Sequence, residues 1–370
     1  MTKIIDDIPF FTDKYFSNTK AIIEKYGDKK VTYAVFMRRP ILFAPQIAVT
    51  WLQKVAAAKN IKIDVKTKYQ EGDWIGSGEP MLYYSGSFAE LVELETIFLQ
   101  KIGATSVAAY NAFAMALELP QTAFIAMDAR HCAGSEMADL MAYGAFVGTK
   151  AANKKGAKGF IGTANDATCH YFGLKNGLGT MPHNLIGYAD STLEAAKMFH
   201  DLFPQTNLVV LADFFGKEIT DSLEVCSFFK KLADEGKVSI RLDTHGGRFV
   251  EGLNTNSSYN ILEKKAPEAI KNYRTEQELK HLIGTGVSAA AIWYLREELN
   301  KNGFDKVKIV ASSGFSLDKC HIMAVANAPL DVIGTGSYLP LEWTETYATA
   351  DVICYDDRQC VKLGREFLLQ

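Results

Sequence analysis

From Pro120 onward the chain repeats one unit: a short apolar run, a polar or glycine-containing turn, then a longer helical stretch. The runs are Ala123–Ala126, Gly159–Ile161, Leu185–Tyr188, Leu208–Leu211, Val238–Leu242, Val307–Val310 and Val332–Ile333. Helical patterns fill Glu136–Ala152, Thr192–Leu202, Lys217–Asp234 and Ser288–Asn300. A strand buried on both faces reads as an unbroken apolar run, and a crossover to a parallel neighbour needs a helix. The repeat therefore predicts a parallel sheet covered by helices. Nearly every run is followed at once by polar residues: Asp128 and Arg130, Thr163 and Asn165, Asp213, Asp243, Ser312 and Ser313, Thr335. A doubly wound sheet concentrates such residues at one switch point, whereas a barrel gathers them from many strand ends. The spread favours an α/β barrel.

The residues before this repeat read as a separate mixed α/β unit. Thr12 or Asp13 caps a helix that reaches Tyr26 and stops at Gly27. Val31–Phe36 and Met81–Tyr84 read as strands, and Pro45–Lys59 as a helix. Ile61, Ile63 and Val65 alternate with Lys62, Asp64 and Lys66, the period of a half-buried strand. Phe88–Lys101 reads as an amphipathic helix ending at Gly103, with a further helix up to Pro120. The expected domains are 1–115 and 116–340.

Composition sets limits on function. The 370 residues suffice for two domains, and 48% hydrophobic against 22% charged residues is globular. Forty basic against 43 acidic residues leave −3, without the basic excess of a nucleic-acid binder. Six cysteines without a CxxC pair read as free thiols in a reducing cytoplasm. The opening MTKIIDDIPFF lacks the pattern of a secretory leader, and no apolar run is long enough to span a membrane.

Two late loops, SSGFS (312–316) and GTGSY (334–338), each follow a strand. Backbone amides in such loops can cradle a phosphate, or the loops are ordinary turns. GTGVSA (284–289) imitates a dinucleotide fingerprint, but the preceding EQELKHLI reads as a helix, so the strand–turn–helix context is missing. Asp213 and Asp243 at strand ends suit an oxocarbenium-like centre or a magnesium ion held through water, or they cap helices. Arg241 lies two residues before Asp243, so strand alternation points both the same way. His183, in GTMPHN, and Arg130, before GSE, are either catalytic and anion-binding or structural.

In combination these segments resemble the nicotinate phosphoribosyltransferase family, the type II phosphoribosyltransferases. FFTDKYF (10–16) resembles the family's TDxYK opening and VFMRRP (35–40) its FxRxxP-type strand. EGDWIGSGEPMLYYSGSFAELVELET (71–96) resembles its EG…EP…G…E…LET pattern. DARHCAGSE, GFIGTAN, GTMPHN, LADFF, RLDTHGG, IVASSGFSLD and IGTGSY follow in the family's order, and RQCVKLG (358–364) resembles its closing return to the N-terminal domain. The resemblance implies an N-terminal α/β sandwich (1–115, completed by 341–370), an irregular α/β barrel (116–340) and a head-to-tail homodimer or higher oligomer with shared active sites.

It also implies a reaction between nicotinate and 5-phosphoribosyl-1-pyrophosphate that gives nicotinate mononucleotide and pyrophosphate, with Mg²⁺ and ATP as co-substrate. In this reading Asp243 and Asp213 face the ribose and the metal-bound pyrophosphate, Asp243 meeting the metal through water or the pyrophosphate. Arg241 and Arg130 lie near the pyridine carboxylate and the phosphates, and Asn165 of GFIGTAN contacts substrate. Ser312, Ser313, Gly314, Gly334 and Gly336 hold the 5′-phosphate, and Tyr15 stacks on the pyridine from the neighbouring subunit. His183 is the histidine that ATP phosphorylates. RLDTHGG stands where RLDSGD is common, MDAR where FGxR is, and DFFGKE where a DTYDT-like segment is. A nicotinamide or quinolinate phosphoribosyltransferase, and a non-catalytic relative that binds the sugar pyrophosphate, are the alternatives.

Overall fold

The computed structural model describes residues 7–339, 341 and 348–369. Residues 1–6, which carry half of the leader reading, lie outside the described residues, as do 340, 342–347 and 370 of the expected domains. The chain divides into two compact units: Met1–Phe113 with Ala133–Ala151 and Pro340–Gln370, and Ala114–Cys132 with Ala152–Leu339. The stretch 133–151, expected in the barrel domain, groups with the first unit. Its helix, Ser135–Asn153, lies against the helix Glu95–Glu118 at a distance only glycine permits. A Cβ on Gly144 would stand 2.6 Å from the Ala108 Cβ, and one on Gly148 would run into the Ala109 carbonyl oxygen. A Lys101–Glu136 ion pair spans the same contact, and the Tyr143 hydroxyl ties the second helix to Glu71, in the segment before the strand Trp74–Ile75.

The first unit is built on an antiparallel sheet of β1 (Lys30–Phe36), β3 (Asp64–Lys66), β5 (Pro80–Ser87), β12 (Thr349–Tyr355) and β13 (Arg358–Gln359), in the order β13-β12-β1-β5-β3. A two-residue pair, β2 (Ile41–Leu42) and β4 (Trp74–Ile75), stands beside it. Alternation along β1 sends Val31, Tyr33 and Val35 into the main core and Ala34 and Phe36 into a second cluster with Ile353 and Leu368. The C-terminal strands thus fill the sheet's far edge. Tyr33 stacks on its cross-strand partner Tyr84, ring centroids 4.7 Å apart.

Two expectations about this unit are corrected. Gly103 does not end a helix; one helix runs from Glu95 to Glu118 because its flanking residues, Ile102 and Val107 among them, are fully buried. Only Asp64–Lys66 of the alternating run pairs as a strand. Asn60, left-handed at φ 53°, closes the preceding helix, and the Ile61 amide is spent on Ala56.

The second unit holds six parallel strands: β6 (Ala123–Ala126), β7 (Gly159–Thr163), β8 (Leu208–Leu211), β9 (Val238–Leu242), β10 (Lys308–Ala311) and β11 (Val332–Thr335). Their order is β7-β6-β11-β10-β9-β8. Helices alternate with them, as in an irregular α/β barrel. Leu185–Tyr188, expected as a strand, is the helix His183–Ala189: Ile186 alone is fully buried, and Tyr188 points outward. Lys217–Asp234 is two helices, Glu218–Phe228 and Lys230–Asp234, which break at Phe229. Among the described residues no helix is long and apolar enough to cross a membrane, and all six cysteines are free thiols.

Candidate active site

Parallel register levels the strand ends. Leu211 is opposite Arg241, Leu242 opposite Ala311, and Ala126 opposite Thr335. Backbone bonding continues one step further, from Ala212 to Arg241, from Ser312 to Leu242 and from Met127 to Thr335. Asp213 and Asp243 therefore leave β8 and β9 at the same height, and Ser312 leaves β10 beside them.

The first turn of the helix His183–Ala189 delivers His183 to this edge. Its Nε2 lies 3.1 Å from both carboxylate oxygens of Asp213. Gly187 permits the approach: a Cβ there would stand 3.0 Å from the Phe214 ring of the DFF turn. Asp213 is 8% exposed, whereas the His183 side chain is 44% exposed. The pair thus joins a sheltered carboxylate to an imidazole open to solvent. Nε2 is engaged by Asp213, and Nδ1 has no hydrogen-bond partner among the described residues.

Arg241 is 8% exposed. It donates to the Thr180 hydroxyl and, at 3.5 Å, to Asp243. Its Nε is buried without a partner among the described residues. Burial lowers its pKa, the charges of Asp243 and Asp213 oppose that shift, and Arg130 adds to it. Arg241 is thus a desolvated cation with an unspent donor, which an anion would complete. Arg130 itself is exposed, its Nε 3.3 Å from His131 Nε2.

Sequence reasoning missed what ties these turns together. Glu218, fully buried, accepts from the Thr244 hydroxyl at 2.8 Å and from the Glu251 amide at 3.1 Å, and pairs with Arg248 at 2.6 Å. Arg248 in turn donates to the Asp213 carbonyl at 2.8 Å. One carboxylate therefore anchors the turn after β9 and, through Arg248, the turn after β8. Only burial distinguishes Glu218 from an ordinary acidic residue in a helix's first turn. Asp128, after β6, was visible in the sequence but given no role. It is 3% exposed, burial raises its pKa to about 6, and it accepts from Cys132, whose own thiol burial pushes up to about 12.

The remaining predicted residues divide by setting. Asn165, after β7, uses its side-chain oxygen on the Thr168 amide and hydroxyl and so shapes its own turn. Ser312 is buried, and Ser313 and Gly314 are left-handed at φ 78° and 64°. The amides of Ser313, Gly314 and Phe315 have no backbone acceptor among the described residues. Gly334 lies within β11, where a Cβ would stand 2.7 Å from the Met127 sulfur, and one on Gly336 would stand 2.8 Å from the His131 ring. The DARH segment thus packs directly on the second glycine loop. Tyr15 belongs to the first unit, 61% exposed, its hydroxyl on Asp13.

Among the described residues no three His, Cys, Asp or Glu side chains converge as a metal cage. A magnesium ion held mainly by substrate phosphates needs only one or two carboxylates, and Asp243, with a single long contact to Arg241, fits that part. A separate cleft of about 600 Å³ lies at the opposite, amino ends of β6, β10 and β11, among Arg296, Lys308 and Asp331. Arg296 there donates to the Val307 and Phe304 carbonyls, and Asp331 accepts from the Ile309 amide. None of the predicted residues lines it.

No protein-family model and no curated protein matches the sequence. Solved structures do resemble it. Nicotinate-nucleotide pyrophosphorylase from Pyrococcus furiosus superposes with a TM-score of 0.73 at 21% identity, over 97% of this chain and 79% of that one. The enzyme of that name from Ehrlichia chaffeensis gives 0.59 at 13% identity, over 95% and 98% of the two chains. Human nicotinic acid phosphoribosyltransferase gives 0.57 at 14%, over 95% and 76%. The chain has the fold of the type II phosphoribosyltransferases.

Proposed function

We propose that this protein is a nicotinate phosphoribosyltransferase, joining nicotinate to 5-phosphoribosyl-1-pyrophosphate with release of pyrophosphate. The observation that carries the reading is the meeting of His183–Asp213, Arg241–Asp243 and the SSGFS turn at levelled strand ends. In the transfer, the bond from ribose C1 to the pyrophosphate oxygen breaks and its electron pair leaves with the pyrophosphate. The pyridine nitrogen lone pair forms the new bond to C1. Positive charge grows on the ribose as this happens, and Asp243 stabilises it. Arg241 uses its spare donor on the pyridine carboxylate, and Arg130 serves the phosphates. The SSGFS amides, with the GTGSY turn, hold the 5′-phosphate.

Asp243 would hold a magnesium ion that arrives with the pyrophosphate, and such an ion neutralises charge on the leaving group. Asp213 fixes His183 through Nε2, leaving Nδ1 to accept a phosphoryl group from ATP. Tyr15 lies near Phe10 and Phe11 in sequence, all three exposed, and such a surface suits a second subunit that borrows the tyrosine for its own site. A product assay with nicotinate, nicotinamide and quinolinate, each with and without ATP, tests the reading. Nicotinate mononucleotide and pyrophosphate, formed faster with ATP, are expected. Pyrophosphate release with another pyridine alone reassigns the substrate. Binding of the sugar pyrophosphate without release with any pyridine points instead to a non-catalytic binder.

A further inference from the structure

The SSGFS turn rests on a residue with no assigned part in the chemistry. Lys319 sits in the first turn of the helix Leu317–Val325, three residues past Ser316, whose hydroxyl caps that helix. It is only 5% exposed. Its Nζ donates to the Ser313 carbonyl at 2.7 Å and lies 4.4 Å from the centre of the Phe315 ring. An ammonium carries three donors, and one carbonyl and one ring face are little compensation for leaving water.

Ser313 is a non-glycine residue at φ 78°, a conformation that costs energy unless its surroundings enforce it. Lys319 grips the carbonyl of that residue. With this oxygen turned toward the lysine, the amides of Ser313, Gly314 and Phe315 are left without backbone acceptors among the described residues.

We infer that Lys319 is the positioning residue of the phosphate turn, holding Ser313 in its left-handed conformation and standing behind the amides as the buried counter-charge that sets their affinity for a tetrahedral oxyanion. The inference rests on the reading of SSGFS as a phosphate cradle. The chemical class is a dianion such as a phosphate monoester. The lysine acts through the turn rather than by touching the ligand.

The charged and titratable groups facing Lys319 are Asp243 beyond β9, Lys280 and His281 of the helix Glu276–Ile283, and the adjacent Cys320. Burial lowers the lysine's pKa to about 8. His281 is lowered to about 4 by burial and then by the lysine's charge, and burial raises the Cys320 thiol, so neither changes charge between pH 7 and 9.5.

Sulfate is the probe, because its own charge is constant over that range. Calorimetric titration of the whole protein should show sulfate affinity falling several-fold from pH 7 to 9.5 as Lys319 loses its proton. Lys319→Met should bind sulfate about tenfold more weakly at pH 7, with a flat profile, as expected for loss of one buried positive charge standing behind the amides. A wild-type profile that is flat overturns the inference without recourse to any variant. A folded Lys319→Met protein that binds as wild type does, or keeps the slope, overturns it while leaving the phosphate reading intact. A wild-type protein that binds neither sulfate nor phosphate removes both together.

Discussion

The ends of β8 and β9 and the ends of β10 and β11 are neighbours in one sheet but are built differently. The first pair presents side chains: Asp213 with His183, and Asp243 with Arg241. The second pair presents backbone: left-handed Ser313 and Gly314 on one turn, and glycines pressed against Met127 and His131 on the other. The side-chain half can be abolished by one substitution and is suited to charge that appears during a reaction. The backbone half changes only when its geometry changes, which suits a group that remains the same throughout, such as a phosphate.

The sharpest way to break this contrast is Asp243→Ala. Turnover should fall about a thousandfold, equivalent to some 4 kcal/mol, while nicotinate affinity stays nearly constant. Steady-state kinetics beside equilibrium binding would check it, and an effect limited to base affinity would move Asp243 out of the reacting centre. Next in size is Glu218→Ala, which leaves Thr244 and Arg248 without their shared partner. It should destabilise the fold by about 3 kcal/mol in denaturant titration, with losses concentrated in the side-chain half.

Asp128 gives a pH test. Its folded pKa of about 6 exceeds the ordinary carboxylate value, so the folded chain holds this proton more tightly than the unfolded chain. Its stabilising contribution is full below about pH 4 and is lost as pH rises through 6. Asp128→Asn should therefore raise the unfolding free energy at pH 7 by roughly 2–3 kcal/mol and flatten its dependence between pH 4 and 7. A variant less stable than wild type at pH 7 would show that the ionised form is favourably paired. Smallest is His183→Ala, expected to erase a roughly tenfold ATP stimulation, about 1.4 kcal/mol, and to leave some basal transfer. If ATP has no effect on the wild type, the role given to His183 fails.

The side-chain half was legible because strand periodicity is simple: Arg241 and Asp243 must share a face, and an apolar run that ends in an acid marks a strand end. The helix at His183 is hidden from sequence reading because LIGY, taken alone, is as apolar as a strand; only the exposure of Tyr188 marks it as a surface helix. Gly103 misled for the opposite reason, since burial on every side carried a helix through a residue that punctuates exposed ones. Lys319 and Glu218 could not be found by pattern. A lysine and a glutamate in helical first turns read as solvated, and it is packing contributed by other elements that buries them.

Glu218 has a consequence for how such a protein can change. Because Thr244 and Arg248 lean on the same carboxylate, the acid-bearing turns are not independent modules. A replacement that reshapes one of them will tug on the other. Laboratory selection for new specificity should accordingly recover paired changes, the second clustering around position 218.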